Sequence, residues 1–537
     1  MTSLGRASAL IGAGTMISRV TGLLRTIVLV LVLGAVGSQA ADAFDVANKL
    51  PNSIFNLISV GLLTAVIVPQ IVAAARHDDR GSAFISKLFT LGTVVLIVAT
   101  GVAAILTPWL VSVQLPKGGE QAALAIAFAY WCLPQIVFYG LYAIVGETLN
   151  ARNIFGPFTW APVVNNILSI IGFLVIGAVF GTELVDVDQW TPMMIAALGG
   201  TATLGILVQA AVLMLFWRRT GIHIRPDFHW RGVGLGDVGK LASWTLLMAL
   251  VSLATGFLQT NVANLASGSG AGSTVMSNAW LVFMLPYSII VLSIGTPYFT
   301  RISEHAVAGR DDEVIADISR AVRTLGFFIV GALAAVVAAA VPASRVFTRS
   351  APDAEAAALV LLAYLVSLVP LTVIFMVQRA FYAYSDTRTP LLFTLVQCVV
   401  VVATALGARL MVDAGMLDIT HLAAAVALGQ SIASTVQTLL AIWLLHRRLG
   451  PLGARRWMGA LGWFSIAAVP AGFAGWGVYL LCGGSDGWMT QSQLLGALGA
   501  ALVGGVVVAV YAGLLALMRT PELGAAGSLL RRFLPGR

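Results

Sequence analysis

The chain reads as an all-α polytopic membrane protein of about fourteen transmembrane helices: two six-helix lobes followed by two C-terminal helices. Three observations predict this. Of the 537 residues, 59% are hydrophobic and only 10% charged, against ~25% charged in an ordinary soluble domain. The apolar residues gather into runs of roughly 20 or more, the length needed to cross a bilayer as helix. The basic residues are split unevenly between alternate loops, as the positive-inside rule requires.

Taken in order, the runs are 7–36, 51–74, 86–113, 122–149, 157–180, 192–217, 238–266, 275–299, 322–343, 356–383, 390–412, 421–446, 459–482 and 493–518. With a cytoplasmic N-terminus and alternating spans, 24 of the 31 lysines and arginines fall on the inside and five on the outside. Arg19 and Arg25, both within the first run, make up the rest. A missed span would scramble that division, so both termini are expected in the cytoplasm. The run 7–36 lacks a small-residue cleavage site after a short apolar core, so it is expected to stay as the first span.

Spans four and ten end alike. Gly146-Glu147-Thr148-Leu149-Asn150-Ala151-Arg152-Asn153 leads to Pro157, and Phe381-Tyr382-Ala383-Tyr384-Ser385-Asp386-Thr387-Arg388-Thr389 leads to Pro390, 233 residues later. Each proline falls in the first turn of the next span, where its missing N–H is harmless. A repeat after six spans is a transporter plan of two parallel-topology halves. The expected domains are therefore 1–225 (helices 1–6), 226–450 (helices 7–12) and 451–537 (helices 13–14 with a short cytoplasmic tail). Between spans eight and nine, Ile315, Ile318, Val322 and Leu325 recur at helical spacing among acidic residues, which predicts an amphipathic lead-in helix on the inner surface.

Several functions are excluded. The net charge of +8 is spread over short loops rather than one basic face, so no nucleic acid is expected. Cys132, Cys398 and Cys482 lie far apart and the six histidines lack partners at ligand spacing, so neither metal nor cofactor is called for. No P-loop or nucleophile elbow is present, which argues against an enzyme or ATP-driven pump and for a transporter. Gly234-Leu235-Gly236-Asp237-Val238-Gly239 fits G-x-G-x-x-G but follows no strand; it reads as a turn into span seven.

What remains is a polar constellation at the front of the chain. Arg19 and Arg25 lie about 9 Å apart along the first helix, and a charge at the bilayer centre costs at least ~2.5–3.5 kcal/mol. Ala41-Asp42-Ala43-Phe44-Asp45 follows the end of span one, and Lys49-Leu50-Pro51-Asn52 opens span two. Arginine suits a diphosphate because its planar fork grips two oxygens and never loses its charge. Asp42 or Asp45 can pair with an arginine or with Lys49 and release it, forming a gate. The plainer alternative is a static ion-pair network holding spans one and two together. Glu147 reads as solvated at the inner mouth.

The stretch from Ser18 to Arg25, then Ala41-Asp42-Ala43-Phe44 and Lys49-Leu50-Pro51-Asn52, resembles the opening of the MurJ/MviN family of lipid II flippases. The Phe381–Pro390 junction is similar to that family's tenth-to-eleventh span junction. The resemblance implies fourteen helices whose two lobes enclose a cationic cavity. It implies carriage of undecaprenyl-pyrophosphate-linked peptidoglycan precursor (lipid II) to the outer leaflet of the bacterial plasma membrane by alternating access, in company with cell-wall synthesis proteins. Carried over by position, the site comprises Arg19, Arg25, Asp42, Lys49 and Asn52. Many members have basic residues just after Leu-Pro-Asn and an arginine in span eight. Here Phe55 and Leu281 stand in those regions, which predicts a less basic cavity. A flippase for another polyprenyl-diphosphate glycan shares the same anion. A cation-coupled drug exporter would favour acidic cavity residues, and a non-transporting scaffold would have no use for the arginines.

Overall fold

The computed structural model describes residues 3–59, 82–152, 154, 156–222, 224–228, 235–520 and 522. Eighteen α-helices occur among them and no strand. In order they are α1 (Ser3–Leu33), α2 (Gln39–Ile58), α3 (Ser82–Ser112), α4 (Gly119–Cys132), α5 (Gln135–Ala151), α6 (Gly156–Phe180) and α7 (Pro192–Leu215). Next come α8 (Leu235–Ala263), α9 (Ser273–Pro286), α10 (Ser293–Val307), α11 (Asp311–Ala338), α12 (Ala340–Arg345), α13 (Ala351–Leu365) and α14 (Leu368–Ala383). The series closes with α15 (Arg388–Asp413), α16 (Leu422–Leu449), α17 (Ala454–Leu481) and α18 (Gln493–Leu517).

Thirteen helical stretches are long and apolar enough to cross a membrane, and each overlaps one of the fourteen runs. The exception is the second run, 51–74, most of which lies outside the described residues. Spans four and ten are each two helices in line. Span four breaks at Leu133–Pro134, where proline removes a backbone donor. Span ten breaks at Val366–Ser367, and Ser367 Oγ donates to the Tyr364 carbonyl at 2.7 Å. In span eight, α9 ends on Pro286 and continues through a π-helical segment, Tyr287–Leu292, into α10.

The repeat found at one proline holds along the backbone. Adding 233 to the start of α5 gives the start of α14, and adding it to the end of α6 gives the end of α15. The end of α3 maps likewise onto the end of α12. Packing follows suit: α2 on α4, α4 on α7, α5 on α7, α3 on α5 and α6 on α7 reappear as α9 on α13, α13 on α16, α14 on α16, α11 on α14 and α15 on α16. By contacts, however, the chain divides at Gly268 into unit one (Met1–Gly268) and unit two (Ser269–Arg537). Helix α8, first of the second sequence repeat, is thus counted with unit one. The appended helices α17 and α18 pack on α11 within unit two, through Phe327, Phe464, Ala471, Val507 and Tyr511.

Two expectations are corrected. The segment 310–325 is no separate surface helix; it forms the first turns of α11, continuous with span nine. Val314, Ile318, Val322 and Leu325 are buried, because α10 and α14 pack on this helix. Asp317, among its acidic residues, is fully buried and bonded by Arg301 Nη2 at 2.8 Å. Likewise Ala41–Asp45 is not a connection after span one but part of α2, which starts at Gln39 with Ser38 as its cap. Of the G-x-G-x-x-G stretch, Gly234 lies outside the described residues and Leu235–Gly239 opens α8.

Candidate functional site

Helix α1 docks on α6 through small and polar residues. Asn166 Nδ2 donates to the Ser18 carbonyl at 3.0 Å and to Thr21 Oγ1 at 3.1 Å. A Cβ at Gly14 would stand 2.8 Å from Thr159 and 2.9 Å from Trp160, so the helices meet there only because it is glycine. Ser18, Thr21 or Gly22, and Arg25 recur at three to four residues, placing Arg25 one turn beyond this seam on the same face. Arg19 is six residues earlier, about 120° round the helix.

Both arginines are half-buried, and neither forms a hydrogen bond or ion pair among the described residues. Arg25 lies within electrostatic reach of Tyr139 on α5, whose ring stacks on Phe55 of α2 at 5.8 Å and 23°. Phe55 thus backs the Tyr139 ring that Arg25 senses. Among the described residues, Arg19 and Arg25 make no ion pair with Asp42 or Asp45.

The other expected site residues have separate surroundings. Lys49 Nζ bonds Asp45 Oδ2 at 2.7 Å, one turn apart on α2. Asp42 is wholly buried: its Oδ2 accepts from Ser267 Oγ at 2.7 Å. Ser267 Oγ in turn accepts from Gln121 Nε2 at 2.8 Å, and the Ser267 carbonyl accepts from Lys117 Nζ at 2.8 Å. Asp42 thereby ties the start of α2 to the start of α4 and the segment after α8. Asn52 is exposed on α2. Glu147 is half-buried near the end of α5.

The sequence reading missed several polar groups in this unit. Gln135, buried at the break in span four, donates to Asn48 Oδ1 and to Thr203 Oγ1, each at 3.2 Å. Asn165 Nδ2 donates to Gln209 Oε1 at 3.0 Å. Lone amides in apolar runs were the available signal, since a buried amide needs a partner; which partner is a tertiary matter. The arrangement offers cationic donors without hydrogen-bond acceptors among the described residues, one of them within electrostatic reach of Tyr139. It suits binding of an anion, and no group of three His, Cys, Asp or Glu among the described residues converges to hold a metal.

The family model described as "Lipid II flippase MurJ" matches residues 30–498. The chain is 27% identical over 401 residues to a probable lipid II flippase MurJ of Haemophilus influenzae, covering 70% of this chain and 75% of that one. It is 26% identical over 398 residues to the lipid II flippase MurJ of Burkholderia cenocepacia, covering 72% and 75%. Among solved structures, a lipid II flippase MurJ in an inward closed conformation superposes with a TM-score of 0.70 at 19% identity, covering 94% of this chain and 98% of that one. An inward-facing multidrug resistance MATE family transporter superposes with a TM-score of 0.62 at 16% identity, over 83% and 99%. The likenesses to solved structures establish the fold, and the family model spans most of the sequence: the chain belongs to the lipid II flippase MurJ family.

Proposed function

We propose that this protein carries lipid II, the undecaprenyl-diphosphate-linked peptidoglycan precursor, from the inner to the outer leaflet of the bacterial plasma membrane by alternating access. Both termini are cytoplasmic in this reading, and no covalent chemistry is done on the cargo. Arg19 and Arg25 bind the diphosphate, Lys49 and Asn52 line the approach to it, and Asp42, wholly buried, acts through its bond from Ser267 by holding α2 in place. The observation that carries the reading is the pair of arginines in an apolar helix with no acceptor of their own among the described residues. At an effective dielectric of about 20, a unit anion at 4 Å is worth ~4 kcal/mol to each, comparable with the cost of placing the charge in the span. Lys49 is already neutralised by Asp45, so it joins only if that pair opens. The sugar and peptide are recognised elsewhere, because arginine reads only the phosphate.

Depletion in the host, followed by measurement of inner-leaflet lipid II and of growth, tests this. Wild type is expected to restore both, with Arg19→Ala and Arg25→Ala restoring neither. Full rescue by both alleles would sink the anion pathway. Unchanged lipid II translocation after depletion would reassign the cargo to another polyprenyl-diphosphate glycan or to none.

A further inference from the structure

A third arginine without a partner lies in unit two. Arg379 sits on α14 within the membrane-length stretch Ala351–Ala383. Among the described residues it forms no hydrogen bond or ion pair. Its guanidinium carbon instead lies 4.8 Å from the ring centre of Phe299 on α10 and 5.0 Å from that of Phe375. Stacking on rings holds the guanidinium but uses none of its five directional N–H donors.

The surroundings supply further donors. Tyr287, on the π-helical segment of span eight, meets Phe375 edge-on at 6.4 Å and is within electrostatic reach of Arg379. Its hydroxyl has no hydrogen-bond partner among the described residues. Tyr382, one turn after Arg379 and also within its electrostatic reach, accepts from Gln378 Nε2 at 2.8 Å. That bond occupies an oxygen lone pair and leaves the phenolic proton of Tyr382 free to donate. Phe375 is seated by Gly295, where a Cβ would stand 2.7 Å from its ring. A π-segment of this kind often marks a functional site. Arg379 is four residues from the end of α14, about 6 Å along the helix. By the charge of the following loop this is the inner end, at the depth of lipid phosphates.

From this juxtaposition we propose that Arg379, with Tyr287 and Tyr382, forms a second anion site, in unit two, that takes a lipid phosphate at the inner leaflet. The phosphate comes either from the carried diphosphate lipid, which rests on the function proposed above, or from an anionic phospholipid of the leaflet. The full chain in nanodiscs decides. Undecaprenyl diphosphate binding is measured in phosphatidylcholine discs, and retention of phosphatidylglycerol is measured by native mass spectrometry, for wild type, Arg379→Gln, Arg379→Lys and Tyr287→Phe. Loss of charge-assisted hydrogen bonds predicts roughly tenfold weaker binding of one of the two lipids by Arg379→Gln. Arg379→Lys keeps the charge and folding but not the fork, so it is expected to recover only part, with Tyr287→Phe intermediate. Weaker undecaprenyl diphosphate binding identifies the cargo as the source; weaker phosphatidylglycerol retention identifies the leaflet. Unchanged binding of both, whatever the melting temperature does, overturns the site. If wild type itself binds no undecaprenyl diphosphate, the proposed function fails, and phosphatidylglycerol retention alone then decides this site.

Discussion

The two sequence repeats share a backbone schedule and almost none of its charge. Shifted by 233 residues, Arg19 and Arg25 correspond to Ser252 and Leu258, Asp42 and Asp45 to Val275 and Asn278, and Lys49 to Val282. Gln135 at the span-four break corresponds to Leu368 at the span-ten break. Conversely, Arg379 stands where the first repeat has Gly146, and Arg345 where it has Ser112. Helix lengths, breaks and packing partners are set by apolar runs and a few prolines or small residues, which tolerate wide sequence change. Charges are placed one at a time, each with its own cost to meet. The duplicated frame therefore carries Arg19 and Arg25 in the first repeat and Arg345 and Arg379 at unrelated positions in the second.

Arg345 and Arg25 make the contrast sharpest. Arg345 is buried, and its donors are taken by carbonyls: Nε by Thr490 at 2.6 Å, Nη2 by Gln491 at 3.1 Å, and Nη1 by Thr348. This is a structural arginine, tying α12 to the turn that precedes α18. The largest expected effect follows from it. Arg345→Met strands three carbonyls and should destabilise the fold by about 3 kcal/mol or more, read as a fall in melting temperature in detergent. Arg25→Met, which breaks no hydrogen bond or ion pair, should leave the melting temperature unchanged or higher. If both fall equally, the distinction between a tied and a waiting arginine is broken.

Next in size, Arg25→Met and Arg19→Met should each lower lipid II translocation by roughly 10²-fold, in the range seen when one donor to a developing or bound anion is removed. The equivalent change in the second repeat, Ser252→Met, should leave it within a few-fold. A smaller effect is expected at the Asp42 knot. Ser267→Ala removes a donor from a buried carboxylate and should cost about 1–3 kcal/mol of stability, whereas Lys49→Met, at a half-exposed pair, should cost no more than ~1 kcal/mol.

The smallest concerns the motif that announced the repeat. Partial desolvation works to raise the Asp386 carboxyl. The bonds from Thr389 and Arg388, with the Arg448 charge 2.7 Å away, outweigh it and hold the carboxyl below its ordinary value. A lowered folded-state value contributes stability that is present above the ordinary carboxylate range and lost as pH falls through the lowered one. Asp386→Asn should therefore flatten the acid limb of the melting-temperature profile, and an unchanged limb would remove Asp386 from that account.

Much of this was legible in the chain. Apolar runs located the spans, and Pro157 with Pro390 gave the register of the whole duplication. The start of α2 was not, because Asp42, Asp45 and Lys49 lower local hydropathy and imitate a loop. The four-residue spacing of Asp45 and Lys49 was the helical signal. The inner lead-in to span nine was misplaced for the opposite reason: its apolar stripe was read correctly, but only tertiary contact says whether a stripe meets lipid or another helix. Arg19 and Arg25 stood out as an anomaly in an apolar run. That they lack acceptors, that Tyr139 comes within electrostatic reach of Arg25, and that Phe55 stacks on Tyr139 depends on contacts between helices far apart in sequence, as does the bond between Asp42 and Ser267.

The central claim is that Arg25 is kept unpaired for a diphosphate. The direct measurement is the equilibrium affinity of the full chain in phosphatidylcholine nanodiscs for undecaprenyl diphosphate, wild type against Arg25→Met. The geometry predicts at least tenfold weaker binding by Arg25→Met at an equal or higher melting temperature. Affinities within twofold of each other would contradict it.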